Sequence, residues 1–134
     1  MENFFKVLFS VLAFSISEMA SASSGAYLAG RQAVSDHNFV AASQFQNKSV
    51  SVDPSNAKLL ESLMVSYLAQ GSVGRAISIA EVYRSNGYKN QISQMILSAA
   101  LLKNGKNESF LSFVEDASKI TPILKDLLSA YILM

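Results

Sequence analysis

The sequence predicts an all-α fold of stacked helical hairpins, and three observations support this prediction. Half of the 134 residues are hydrophobic, which is sufficient for a packed core. Hydrophobic residues recur at three- and four-residue spacing over long stretches, as they do in amphipathic helices. Similar segments also return every 34 positions, an interval typical of arrays of helical hairpins.

The 34-residue interval is visible in turn residues and in small or hydrophobic residues. Each of the following sets contains residues separated by 34 positions: His37, Gly71 and Gly105; Phe39 and Val73; Ala42, Ala76 and Phe110. Glycine tolerates the left-handed backbone that closes a helix, so the glycines of the first set should mark turns, and His37 should occupy the equivalent turn. We therefore predict repeats at about 23–56, 57–90 and 91–119, with a partial fourth unit over 120–134.

The N-terminal segment, 1–22, has the pattern of a secretory signal peptide. Lys6 gives a weakly positive start, residues 7–16 are almost wholly hydrophobic, and Ala20-Ser21-Ala22 offers small residues to a signal peptidase. The hydrophobic run is shorter than the roughly 20 residues that span a bilayer. We predict a signal-peptide helix over 1–22, cleavage after Ala22 and a secreted or periplasmic mature protein without a membrane span. An uncleaved anchor is the alternative.

The boundary between the first two hairpins is predicted from local chemistry. Pro54 disfavours helical geometry at Asp53, so the first hairpin should end there. Ser55 or Asn56 can then cap the next helix. That helix is predicted from a stripe formed by Leu59, Leu60, Leu63, Tyr67 and Leu68.

The second helix of each hairpin is predicted to carry a small residue where it faces the first. After the break at Gly71, a stripe of Val73, Ala76, Ile77 and Ala80 leads to Gly87, which ends the second hairpin. Ala42 and Ala76 should let the paired helices approach to about 8–10 Å between their axes.

The C-terminal stretch is predicted to form one further helix with an exposed hydrophobic surface. Ile120, Ile123, Leu124, Leu127, Leu128 and Tyr131 recur at helical spacing. Terminal repeats normally present a polar outer face, and this stretch does not. It could pack back on the third hairpin, associate with another chain, or continue into a longer array.

These repeats resemble the tetratricopeptide repeat family. The resemblance rests on residues at the family's motif positions, which we expect to pack the repeats together: Ala29, Gly30, Ala42, Pro54, Leu63, Tyr67, Gly71 and Ala76. Several positions depart from the pattern. Tyr88 stands where the closing proline is expected, and in the first repeat Ala26 replaces a large aromatic residue and Gln46 a core residue. The third repeat has Gln94, Phe110 and Asn107 at motif positions. The resemblance implies a right-handed superhelix and, together with the leader, an exported protein of a Gram-negative bacterium.

The resemblance also implies a concave groove lined by the first helix of each hairpin. Its candidate partner-binding residues are Tyr27, Arg31 and Val34 in the first hairpin, Glu61, Val65 and Ala69 in the second, and Met95 and Ala99 in the third. These residues suit a peptide or helix better than a highly charged ligand. The alternative is that several of them pack between hairpins.

Composition argues against other classes of function. The net charge is +1 and the basic residues are scattered, whereas nucleic-acid binding requires a clustered basic surface. With one histidine and no cysteine, a metal site would depend on dispersed carboxylates. Ser35 and Asp36 are immediate neighbours of His37, which is the wrong geometry for a catalytic relay.

Three functions can be considered for this sequence, and the third, a hydrolase or other enzyme, lacks the constellation of residues that catalysis requires. The two that are favoured involve neither catalysis nor a cofactor. The first is a protein-interaction module or scaffold in the bacterial cell envelope. The second is a structural helical domain that oligomerises, or continues a longer array, through residues 120–134.

Overall fold

The structure is a computed structural model that describes residues 24–116 and five later positions, 122, 126, 127, 129 and 130. All regular structure within these residues is helical, as predicted. Residues 24–35 form α1, and five helices follow: α2 (Phe39–Val52), α3 (Ala57–Ala69), α4 (Val73–Ser85), α5 (Gln91–Lys103) and α6 (Asn107–Asp116). The predicted leader, 1–22, and most of 120–134 lie outside the described residues.

The 34-residue interval is present in the helix boundaries. The second helices α2, α4 and α6 begin at Phe39, Val73 and Asn107, each 34 positions after the one before. The first helices α3 and α5 begin at Ala57 and Gln91, again 34 positions apart. The helical hairpin is therefore the repeating element of the described chain.

The chain divides after Pro54 into two compact units, which we call the N-terminal and C-terminal units. In the N-terminal unit, α1 and α2 approach closely at Gly30. A Cβ added at Gly30 would lie 3.3 Å from Cγ of Gln46 and 3.4 Å from Cβ of Phe45. Ala42 is fully buried on α2. The predicted small residues therefore lie where this unit is packed.

In the C-terminal unit, consecutive helices pack against one another from α3 to α6, and the two first helices α3 and α5 also contact each other. At several positions, a residue and the one 34 positions later are both buried. The buried residues of the second helices are Ala76, Ala80 and Tyr83 on α4 and Phe110 and Val114 on α6. Those of the first helices include Leu60, Leu63 and Met64 on α3 and Gln94, Leu97 and Ser98 on α5.

Four helices end in the same hydrogen-bonded turn, which contains a residue with positive φ. These residues are His37 (φ 57°), Gly71 (φ 76°), Gly87 (φ 83°) and Gly105 (φ 66°). In the turn after α3, for example, the Gly71 amide donates to the Leu68 carbonyl at 2.9 Å and the Ser72 amide to the Tyr67 carbonyl at 2.8 Å. This is the Schellman pattern, which satisfies carbonyls at a helix end. The predicted role of His37 as a turn residue is confirmed.

Asparagine side chains cap three helices. The side-chain oxygens of Asn38, Asn56 and Asn90 accept hydrogen bonds from backbone amides of α2, α3 and α5 at 3.1, 3.3 and 2.8 Å. Of the two caps considered for α3, the structure therefore selects Asn56 over Ser55. Each bond satisfies an amide that the helix itself leaves unpaired.

Tyr88 occupies the place where the repeat pattern has proline, 34 positions after Pro54. Its hydroxyl donates to the Ser55 carbonyl at 2.9 Å, and its ring lies 5.2 Å from the Tyr83 ring between centroids. Tyr88 therefore connects the end of the second hairpin to its beginning. Proline, which has no side-chain donor, could not form this link.

Candidate functional site

Six of the eight predicted partner-binding residues occupy equivalent positions on the first helices. Positions 27, 61 and 95 are separated by the repeat interval, as are positions 31, 65 and 99. The interval therefore relates Tyr27, Glu61 and Met95 to one another.

In the N-terminal unit, two of these residues form a pair. The Arg31 guanidinium lies 6.0 Å from the centroid of the Tyr27 ring, within the range of a cation–π interaction. Tyr27 is 44% exposed, Arg31 is exposed and Val34 is half-buried. Because both side chains are exposed, a ligand can reach both groups.

In the C-terminal unit, the predicted residues of α3 lie opposite its buried face. Val65 is 38% exposed and Ala69 is also exposed, whereas Leu63 and Met64 are fully buried. On α5, Met95 is 45% exposed and Ala99 is exposed. α3 also contacts α5. We call the exposed apolar residues of these two helices, Val65, Leu68, Ala69, Met95 and Ala99, the apolar strip.

Glu61 has a different environment from the other predicted residues of α3. It is half-buried, and its carboxylate contributes to the raised pKa of Tyr83 on α4, after burial of the phenol, which is the larger cause. The negative charge of Glu61 therefore acts on a buried phenol of the neighbouring helix, that of Tyr83.

The residues predicted to pack the repeats together differ in burial. Leu63, Tyr67, Ala42, Ala76 and Gly30 are buried, and Ala29 is half-buried. Gly71 lies in the turn between α3 and α4 with positive φ, and Pro54 is exposed in the turn before α3.

One residue of the apolar strip was missed from the sequence. Leu68 is 37% exposed and lies 34 positions after Val34, so it is the equivalent of that residue on α3. The sequence interpretation placed Leu68 in the buried stripe and chose Ala69 for the groove. Applying the repeat interval to Val34 would have identified Leu68.

The described residues contain no cluster of the side chains that bind metal ions. No three His, Cys, Asp or Glu side chains among them come close enough to hold a metal ion. His37 is exposed, and its ring packs edge-on against Phe39 at 6.1 Å between centroids. This contact and the positive φ of His37 account for it as part of a turn.

Comparison with known proteins gives no family assignment. No protein-family model matches the chain, and no curated protein matches it either. A search of the described helices for a membrane span finds none that is both long and apolar enough.

Proposed function

We propose that the protein is a non-catalytic interaction module of the tetratricopeptide-repeat type, which binds a helical or extended segment of a protein partner. The observation that carries the proposal is the apolar strip of the C-terminal unit. Val65 and Leu68 on α3 and Met95 on α5 are large hydrophobic residues that remain more than a third exposed. Removing them from water would favour association.

The strip favours a partner with apolar side chains at helical spacing. The helix-in-groove mode of recognition uses residues of the partner at i, i+3 or i+4 and i+7. Methionine is suited to such a surface because its flexible thioether adapts to different shapes. Glu61 is half-buried beside this strip, so a partner with a basic residue at the edge of its apolar face would fit best.

The proposal is tested with two valines of similar exposure on different helices. Val65 on α3 is 38% exposed, and Val82 on α4 is 40% exposed. A partner is first captured on the full chain from a bacterial envelope extract and identified. We expect Val65→Asp and Met95→Asp to weaken its binding at least about tenfold, because a charge would be desolvated in the contact. Val82→Asp should leave binding unchanged.

Two results would contradict the proposal. In the first, Val82→Asp abolishes binding while Val65→Asp and Met95→Asp do not. In the second, all three variants bind normally and deletion of residues 120–134 abolishes capture, which would favour the structural alternative. Leu127, which is 63% exposed, is the large hydrophobic residue of that segment that the structure describes.

We also propose that the protein is exported to the bacterial cell envelope and loses residues 1–22. Support comes from the hydrophobic run over 7–16 and the small residues at Ala20 and Ala22. N-terminal sequencing of the protein from envelope fractions should begin at Ser23. A chain that retains Met1 would contradict cleavage.

A further inference from the structure

A second candidate site lies in the C-terminal unit and shares no lining residue with the apolar strip. It is a small cavity of about 60 Å³ at the junction of α4, α5 and α6. Its polar lining residues are Arg84, Lys89, Ser93 and Gln94, and its apolar lining residues are Tyr88, Leu97 and Phe113.

The charge at this cavity is positive. Arg84 and Lys89 are both cationic, and none of the described residues that line the cavity is acidic. Ser93 and Gln94 belong to the first turn of α5, where the helix dipole adds partial positive charge. An anion in the cavity would therefore be stabilised from two sides.

The walls of the cavity are held in place before any ligand binds. The Arg84 guanidinium lies 5.7 Å from the centroid of the Phe113 ring, a contact that orients the cation over an aromatic face. Tyr88 is fixed by its hydrogen bond to Ser55 and by its contact with Tyr83. Preorganised walls reduce the conformational entropy that a ligand must overcome.

We propose that this cavity binds a carboxylate carried on a short aliphatic chain. The planar guanidinium of Arg84 can donate two parallel hydrogen bonds to a carboxylate, and the Lys89 ammonium can add a third. Leu97 and Phe113 provide apolar contacts for one or two methylene groups. The cavity holds about four water-sized groups, which matches propionate in size.

The same chemistry could come from a free carboxylic acid or from an acidic side chain, because a glutamate side chain ends in a propionate group. The site is independent of the apolar strip, so it can exist whether or not the strip binds a protein.

The test is a titration of the isotope-labelled full chain with propionate, followed by amide chemical shifts in NMR spectra. Propionamide, which has the same shape without the charge, is the ligand control. We expect saturable shifts at Lys89, Gln94 and Leu97 with propionate and none with propionamide. A doubly capped glutamate, with both its amino and its main-chain carboxyl groups blocked, then tests for an acidic side chain as the natural source. If capped glutamate binds comparably, the natural ligand is an acidic side chain. If capped glutamate does not bind, the natural ligand is a free carboxylic acid.

The chain provides a matched control variant. Arg75 also lies 5.7 Å from the centroid of an aromatic ring, that of Tyr67, but it does not line the cavity. Arg84→Gln should weaken propionate binding at least about tenfold, because charge-assisted hydrogen bonds are lost. Arg75→Gln should leave it unchanged. Equal affinities in the two variants, or equal shifts with propionamide, would overturn the proposal.

Discussion

The second and third hairpins share several buried positions but fill some of them with different side chains. In the second hairpin, the second helix has small residues, Ala76 and Ala80, at two of its buried positions. In the third, the equivalent residues are Phe110 and Val114, and both are fully buried.

On the first helices, the difference in side-chain size runs the other way at some positions. At two pairs of positions related by the repeat interval, α3 has the larger side chain and α5 the smaller: Met64 and Ser98, Tyr67 and Leu101. Ser62 and Ile96 differ the other way. We infer that Phe110 and Val114 on α6 fill space that Met64 and Tyr67 fill in the second hairpin. Cores tolerate such exchanges when the total volume is kept, since protein interiors are close-packed.

The largest effect should come from removing the residue that fills the third hairpin. Phe110 is fully buried with Val114 in a cluster that includes Leu101 and Leu102. Phe110→Ala should lower the free energy of unfolding by about 3–5 kcal/mol, through lost burial and a remaining cavity. Urea denaturation followed by circular dichroism measures this change. Leu111→Ala, at a half-buried neighbour, is the control and should cost clearly less. Equal losses would show that Phe110 has no special place in the core.

The converse substitution tests whether volume is exchanged between the two helices of a hairpin. Ala76→Phe puts the side chain of the third hairpin into the second and should cost about 1–3 kcal/mol through overpacking. Adding Met64→Ser gives α3 the smaller residue that α5 has at the equivalent position, Ser98. In a double-mutant cycle, the pair should be more stable than the sum of the single variants predicts, by about 0.5 kcal/mol or more. If the stability effects of the two single variants simply add, the two positions are energetically independent, which would contradict the volume exchange.

A smaller effect is expected from the hydrogen bond that closes the second hairpin. Tyr88→Phe keeps the ring contact with Tyr83 and removes only the hydroxyl that donates to Ser55. The loss should be about 0.5–1.5 kcal/mol. Tyr27→Phe removes the hydroxyl of an exposed tyrosine and should leave the urea midpoint unchanged. A stabilising effect of Tyr88→Phe would show that this link does not support the hairpin.

The smallest effect is expected on the stability of the fold at alkaline pH, through Tyr83. Burial raises the pKa of Tyr83, and the carboxylate of Glu61 raises it further. The folded state then holds the phenolic proton more tightly than the unfolded state, whose tyrosine titrates near about pH 10. Stability from this group is complete below that pH and is lost as the pH rises through the folded pKa. Tyr83→Phe should make the loss of stability above about pH 10 less steep. An unchanged slope would contradict this assignment.

Much of the helical organisation could be predicted from the sequence, because it depends on local chemistry. Gly71, Gly87 and Gly105 have positive φ, and the turn residues and helix starts follow the predicted interval. Asn56 was one of two predicted caps. These features are set by residues close together in the chain, where backbone preferences are well defined.

The long-range features could not be predicted in the same way. The packing of Phe110 and Val114 against Leu101 and Leu102 depends on which side chains share a core, and the sequence alone does not show this. The cavity at Arg84 combines residues of three helices, and none of them forms a recognisable motif on its own. The hydroxyl of Tyr88 reaches a carbonyl 33 positions earlier, which no local pattern indicates. Exposure of Leu68 was missed because its spacing fits a buried stripe equally well.

The central claim is that the hairpin of residues 57–90 is a unit that can be added in register. Asn56 and Asn90 both cap a first helix, so a second copy of 57–90 inserted after Asn90 would begin behind the same kind of cap as the original. The most direct measurement is the far-UV circular dichroism per residue of this longer chain, together with its urea midpoint. We predict an undiminished helical signal per residue and a midpoint at least as high as that of the parent, because each added repeat adds an interface. A shorter copy, 57–86, lacks Gly87 and Asn90 and should lower both values. If the in-register copy lowers the helical signal and is removed by protease, residues 57–90 are not a repeating unit.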